Sequence, residues 1–300
     1  MSIRKAVIPI SGLGTRLLPT TRALPKEMLP VGRYPTIHYV VEEMIAAGVS
    51  QVLFVTSRSK TIIEDQFDNQ SPLVSYLASM GRQDLLDGFD YAARGVSFAF
   101  TRQQSPPGVL KPQGTGAAIA AAASFVGNEP FIVAYGDTII DSPDYLSRIV
   151  RSHIAHQAAC TIGVRRVPKE SIHLYGVVKP MPGVIITDTD FQICDIVEKP
   201  SAEDAPSLLA VNARYIFEPS IFDEIRNVPL SQNGEFPITT AIQNLIEKGA
   251  HVRCVALAGG ETRYDLGNHE DYYRAFIDFA LRDPDYGKAI RDYMKWRSTE

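Results

Sequence analysis

Near the start of the 300-residue chain, the stretch Ser11 to Pro30 (SGLGTRLLPTTRALPKEMLP) sets Arg16, Arg22 and Lys26 among two glycines and several prolines. Glycines at positions 12 and 14 let backbone N–H groups approach a ligand closely, and successive N–H groups in such a turn form a nest for an anion. Guanidinium and ammonium groups beside the nest add the donors and positive charge that suit phosphate. The loop is not a P-loop, because no Gly-Lys-Ser/Thr follows at the required spacing. Nor is it a dinucleotide fingerprint: the third glycine would fall at position 17, which is Leu17. A second candidate is Asp137, the acid that closes the apolar run FIVAYGD.

These residues need elements to hold them. Ala6 to Ile10 (AVIPI) reads as a short buried strand ended by the glycine loop. Ile37, Val40, Val41, Met44 and Ile45 share one helical face, with Thr36 as the expected cap and Gly48 as the stop. Strands are expected over Gln51 to Thr56, Val96 to Arg102 and Phe131 to Asp137. Helix is expected from Thr61 to about Arg94 and, rich in alanine, from Gly114 to Phe125. Strand, loop, helix, strand in repetition predicts an α/β fold with a Rossmann-like, mostly parallel sheet flanked by helices. Ligands of such sheets sit beyond the carboxyl ends of the strands, where the Gly12 loop and Asp137 can face one crevice. The second half changes character: ACTIGVRRV, YGVVKP, GVIITD, CDIVEKP and LAVNARYIF are short β-type runs of the antiparallel kind. Helix (Pro237 to Lys248), strand (Val252 to Leu257) and an amphipathic helix from near His269 follow. No linker separates the halves, so a single domain over 1–300 with a shared core is expected. Residues 1–158 would be its nucleotide part, 159–268 a β-rich extension, and 269–300 a C-terminal helical segment.

Composition narrows the classes. Hydrophobic residues make up 45% and charged ones 21%, as in ordinary globular proteins. A net charge of −4 leaves no basic footprint for nucleic acid. No apolar run reaches the roughly 20 residues of a membrane span, and no secretory pattern opens the chain. Cys160, Cys194 and Cys254 are scattered without metal or redox spacing, which suggests free buried thiols in the cytoplasm. None of the six histidines has a second ligand at metal spacing. His153 and His156 read as surface residues, Trp296 as packing the tail, and the Tyr and Phe of the last long helix as core.

The run GLGTRLLPTTRALPKEMLPV resembles the signature of the sugar-phosphate nucleotidylyltransferases, and its PKEMLP form looks most like the bacterial UTP–glucose-1-phosphate uridylyltransferases. VVEEMIAAGV, VTSRSKTIIEDQFD, YGVV, IVEKP, NARYIF and YDLGN follow in the family's order, over nearly the whole chain. The resemblance implies a Rossmann-like mixed sheet with a sugar-side β-rich extension. It implies that glucose 1-phosphate attacks the α-phosphorus of UTP, giving UDP-glucose and diphosphate with Mg²⁺ as cofactor. Arg16 and Lys26 would then serve catalysis by stabilising the triphosphate and its leaving group. The loop Ser11, Gly12, Leu13, Gly14 and Thr15 would lie on the nucleotide, and Gln103 with Gly114 would read the base, Gln104 being an adjacent competitor. Gly176, Glu198, Lys199 and Asn212 would bind the sugar phosphate. Asp137 and Asp265, far apart in sequence, can hold one Mg²⁺ together with waters and phosphate oxygens. A homodimer or homotetramer is the family's habit.

Several positions depart from that pattern. RQQSPPGVLKPQGTGAA replaces a short RQG, a Lys and GLGHA, with Ala117 at the histidine position. AYGDTIID replaces a PDD-like or PDV-like ending and looks more like the thymidylyltransferases' GD. Thr240 replaces an acid, and Ala213 replaces a glycine beside the sugar. The alternatives are therefore dTTP, another triphosphate or another hexose 1-phosphate in the same reaction. A non-catalytic regulatory homologue is a further alternative, against which the presence of Arg16, Lys26, Asp137, Glu198, Lys199 and Asp265 argues.

Overall fold

The computed structural model describes residues 2–58, 60–68, 72–86, 89–104, 111–184, 189–231 and 233–299. Strand β1 (Lys5–Pro9) runs into a loop of three short 3-10 turns, Thr15–Leu17, Thr20–Arg22 and Lys26–Met28. The small strands β2 (Pro30–Val31) and β3 (Tyr34–Pro35) follow, then α1 (Thr36–Ala46), β4 (Gln51–Thr56), α2 (Thr61–Gln66), α3 (Pro72–Ser79) and β5 (Ser97–Arg102). Next come α4 (Gly114–Ala120), α5 (Ala123–Val126), β6 (Phe131–Ala134), β7 (Thr138–Asp141) and α6 (Tyr145–His156). The second half supplies β8 (Cys160–Arg166), β9 (Gly176–Pro180), β10 (Asp190–Glu198) and β11 (Leu209–Phe217). It ends with α7 (Ile221–Asn227), α8 (Ile238–Glu247), β12 (Val252–Ala256), β13 (Thr262–Asp265), α9 (His269–Leu281) and α10 (Gly287–Arg297).

The main sheet has the order β5-β4-β1-β6-β11-β8-β12-β10-β9. Its first four strands are mutually parallel, so their carboxyl ends share one edge. The parallel character belongs to this half. Beyond it β11 runs antiparallel to both β6 and β8, β10 to both β12 and β9, and only the β8–β12 pairing is parallel again. Both faces are covered. Val7, Leu53 and Val133 point into one core layer with Ile119, Ile162 and Ile242, whereas Ala6, Ile8, Val52 and Phe54 point into the other with Ile37, Val41 and Ile149. This alternation is the period of a strand, and burial on both sides explains the continuous apolar runs. The first layer takes residues from both halves of the chain, as the lack of a linker suggested.

The structure corrects several local expectations. The helix expected from Thr61 to Arg94 is two short helices and a 3-10 turn at Gln83–Leu86. The Ala-rich helix is interrupted after Ala120. The run Phe131 to Asp137 stops as a strand at Ala134, so Asp137 sits in the turn between β6 and β7. Thr36 is inside α1 rather than its cap, and its hydroxyl donates to Leu29 O at 2.9 Å. His153 is buried: it shares the inner face of α6 with Leu146 and Ile149, at helical spacing, and lies 3.0 Å from Thr161 Oγ1. Trp296 is 54% exposed, beside the Tyr293 ring and under the Arg297 guanidinium, and in α9 Tyr273 and Phe276 are exposed. Cys194 is half-buried, while Cys160 and Cys254 are buried as expected. Residues 185–188 of the strand expected at 183–188, and the proline-rich part of the loop at 105–110, lie outside the described residues.

Candidate active site

The loop after β1 is held in shape by its own turns. Gly14 has φ +69°, which glycine adopts without steric cost. Its carbonyl accepts from Leu17 N at 3.0 Å and from the Thr21 hydroxyl at 2.7 Å, and Leu17 is buried as an anchor. With Gly14 turned this way, Ser11 to Thr15 border a cleft of about 440 Å³ at the carboxyl ends of the parallel strands. Lys26, Glu27, Lys111, Gly114, Thr115, Tyr135, Asp137 and Glu235 complete its wall.

Gln103, the residue after β5, ties two sides of this cleft. Its Oε1 accepts from the Ser11 hydroxyl, and its Nε2 donates to Gly114 O at 3.4 Å. Gln104 is exposed. Gly114 opens α4 with φ +82°, and a Cβ there would lie 2.9 Å from Glu235 Cβ. The facing segment is pinned to this helix start by Phe236 N donating to Gln113 O at 2.8 Å, Gly116 N to Phe236 O at 3.0 Å, and the Lys111–Glu235 ion pair at 2.6 Å.

The two sequence-distant acids are brought together by strand pairing. In β7 and β13 Thr138 stands opposite Asp265, which places Asp137 next to it. Lys26 Nζ donates to Asp137 Oδ2. Burial would lower the Lys26 pKa, but Asp137, Glu27 and Asp265 outweigh it and hold the ammonium above its ordinary value. Burial would likewise raise the Asp137 pKa, and Lys26 with Arg263 carries it below the usual carboxylate range. Asp265 pairs with Arg263 at 3.1 Å and accepts from Gly267 N at 3.1 Å. A Cβ on Gly267 would lie 2.6 Å from Arg16 Nη2, so this glycine makes room for the exposed Arg16 guanidinium beside Asp265. Arg22 is exposed on the same loop.

Glu198 and Gly176 stand opposite each other in β10 and β9. Glu198 Oε2 accepts from the Thr239 hydroxyl at 2.8 Å, and Lys199 Nζ lies 3.3 Å from Glu198 Oε1. Lys199 has φ +45°, an uncommon backbone for a non-glycine residue, and its N–H donates to Tyr175 O at 3.0 Å. Gly176 is crowded: a Cβ there would be 2.7 Å from Thr239 Cγ2. These residues do not line the cleft of the Gly12 loop. Tyr135 stands between the two groups, with its hydroxyl bonded to Thr115, 3.5 Å from the Tyr215 hydroxyl, and in electrostatic reach of both Glu198 and Asp137. Burial raises its pKa.

The Asn212 side chain is fully buried: its Nδ2 donates to the Tyr145 hydroxyl at 2.6 Å and to Val164 O at 3.3 Å, and its Oδ1 has no partner among the described residues. The neighbouring Ala213 has φ +70°, at an irregularity in β11 where the register with β8 shifts. Its carbonyl accepts from Tyr135 N at 3.2 Å.

Among the described residues no group of three or more His, Cys, Asp or Glu side chains could hold a metal. The Asp137 and Asp265 pair still fits a Mg²⁺ ion, which keeps several waters and takes one or two carboxylates plus substrate phosphates. Sequence reasoning missed Glu27, Lys60, Thr115 and Tyr135 as neighbours of the site. Their partners lie at sequence distances that carry no periodic signal.

This architecture and site are those of a nucleotide-transferring α/β protein. Residues 5–280 match the family model described as Nucleotidyl transferase, and the chain belongs to that family. It is 38% identical over 296 residues to UTP–glucose-1-phosphate uridylyltransferase 1 of Staphylococcus saprophyticus, covering 98% of this chain and 99% of that one. Among solved structures, a UTP-bound UGPase from Acinetobacter baumannii superposes with a TM-score of 0.85 at 32% identity, covering 97% and 98% of the two chains. A UDP-glucose pyrophosphorylase complexed with UDP-glucose gives 0.80 at 31% identity, covering 93% of this chain and 99% of that one.

Proposed function

We propose that this protein is a UTP–glucose-1-phosphate uridylyltransferase, converting UTP and glucose 1-phosphate to UDP-glucose and diphosphate. The observation that carries the reading is the meeting of the Gly12 loop, Lys26 and Asp137 in one cleft, with Asp265 paired opposite Thr138 beside them, in a chain similar over nearly its full length to proteins of that name. A phosphate oxygen of the sugar phosphate bonds to the α-phosphorus while the bond to the bridging oxygen breaks, and diphosphate leaves with the electron pair. The nucleophile is already largely ionised near neutral pH, since a phosphate monoester has a second pKa of ~6. No general base is needed, and catalysis reduces to aligning two anions and stabilising charge.

The residues divide that work. Backbone N–H groups of Ser11 to Thr15 receive the triphosphate, and Arg16 and Lys26 neutralise it and the departing diphosphate. Gln103 and Gly114 frame the base edge, where an amide offers both donor and acceptor to a pyrimidine. Gly176 lets the hexose approach, Glu198 accepts from its hydroxyls, and Lys199 meets its phosphate. Mg²⁺, held by Asp137 and Asp265, would neutralise phosphate charge and orient the oxygens when bound. A single domain over residues 1–300, a cytoplasmic location and a homodimer or homotetramer belong to the same reading. No helix among the described residues is long and apolar enough to cross a membrane.

Pyrophosphate release with Mg²⁺ tests it, with UTP, dTTP, CTP, ATP and GTP each paired with glucose 1-phosphate. Strong turnover with UTP is expected. Preference for dTTP would keep the reaction and change the substrate, while silence with every pair, and with other hexose 1-phosphates, would favour a non-catalytic homologue.

A further inference from the structure

The turn that presents Lys26 is clamped from behind by a buried charge pair. Lys60 Nζ donates to both Glu27 oxygens, at 2.8 and 2.7 Å, and the two side chains are only 5% and 2% exposed. Such a pair is weak evidence for stability, because well-packed apolar side chains of similar volume often do as well or better. Burial lowers the Lys60 pKa and raises that of Glu27, each against the pull of its partner, so desolvation outweighs the attraction here.

A geometric reason for keeping it is at hand. Lys26, Glu27 and Met28 form one 3-10 turn, in which successive side chains leave about 120° apart. Lys26 leaves toward Asp137 and Glu27 toward Lys60. Glu27 borders the cleft, yet Lys60 occupies both of its oxygens. The far end of the turn is fixed separately, by Thr36 N and Oγ1 donating to Leu29 O at 3.0 and 2.9 Å. Charges then alternate inward from Lys60 to Glu27, Lys26 and Asp137. Without Glu27, Lys60 would face Lys26 as a like charge.

We propose that Lys60 is a positioning residue for the nucleotide: by clamping Glu27 it fixes the turn that aims the Lys26 ammonium at the triphosphate. The inference rests on the nucleotide role of Lys26 proposed above. Its test is the double variant Lys60→Met/Glu27→Met, which removes the clamp without leaving an unpaired buried charge. Thermal midpoint, UTP binding by calorimetry, and kcat and KM for each substrate are measured beside wild type. The expected result is a melting temperature close to wild type, kcat/KM for UTP about 10- to 100-fold lower, and KM for glucose 1-phosphate within about twofold. Wild-type values for UTP in the folded double variant would overturn the proposal, as would equal losses for both substrates with a lowered melting temperature. If the double variant does not fold, the isosteric Glu27→Gln decides by the same selective rise in KM for UTP; unchanged KM there overturns the clamp. Wild-type protein that does not bind UTP at all would instead overturn the functional reading, and this inference with it.

Discussion

Asp137 and Lys26 neutralise each other at the floor of the cleft, and each is proposed to serve phosphate or its counterion. Replacing Asp137 by alanine removes the carboxylate and leaves the largely buried Lys26 ammonium without its partner. Asp137→Ala is expected to melt at a lower temperature than wild type and to lose about 10²–10³-fold or more in kcat. Retained turnover with Mg²⁺ would remove Asp137 from the metal assignment. Lys199 is a different case. At 57% side-chain exposure its pair with Glu198 is screened and adds little to stability. Its value lies in a charged ligand, and Lys199→Ala is expected to raise KM for glucose 1-phosphate about tenfold or more, the loss of one hydrogen bond to a charged group. An unchanged KM would take Lys199 out of the sugar-phosphate site. The loop was legible in the sequence from glycine, arginine and lysine among prolines, and the structure sets Ser11 to Thr15 and Lys26 along a cleft. The burial of Asn212 was not legible, because strand alternation and a local irregularity decide which way a side chain faces, and residue identity does not.

At the scale of elements, β7 and β13 do what no motif announces. Their pairing brings Asp265, the last residue of β13, to Asp137, which sits in the turn just before β7, across more than a hundred residues. The parallel strands and the helix from His269 were readable from apolar period, and the structure adds Asn268, accepting from Asp271 N, as the cap of α9. The segment after Thr61 was not, because its helical pattern is cut into pieces too short to read. Beneath the sheet, Arg214 is fully buried and makes paired hydrogen bonds to Glu43 of α1, the shortest at 2.6 Å. Glu43→Ala strands that guanidinium, and a loss of about 3–5 kcal/mol in unfolding free energy is expected from denaturant titration. His153 of α6 and His38 of α1 are held below their ordinary pKa by burial. The unfolded chain, with His near 6.5, therefore takes up protons first as pH falls. Their stability contribution is complete above about pH 6.5 and is lost as pH drops from there toward the depressed folded values. The urea midpoint should accordingly fall between pH 7.5 and 5.5, and less steeply in His153→Gln. An equal slope in that variant would clear His153 of the effect.

For the whole molecule, the C-terminal helices leave Tyr273, Phe276, Ile277, Tyr286, Tyr293 and Trp296 exposed. Of these, Tyr273 and Phe276 were expected in the core and Trp296 as packing the tail, and the exposed set fits the proposed homo-oligomer. Light scattering should give a dimer or larger for the wild type and a smaller particle for Tyr293→Glu/Trp296→Glu. Identical masses would move the interface elsewhere. The seam between the halves is β11, which pairs with β6 on the nucleotide side and with β8 and β9 on the other. Because this ladder joins the halves, neither can open while the other stays shut without breaking it. The slowest-exchanging backbone amides of both halves should then share one opening free energy. A protease should find no clip that releases an intact half: a molecule either survives whole or is digested throughout, and UTP at one end should lengthen the life of the other.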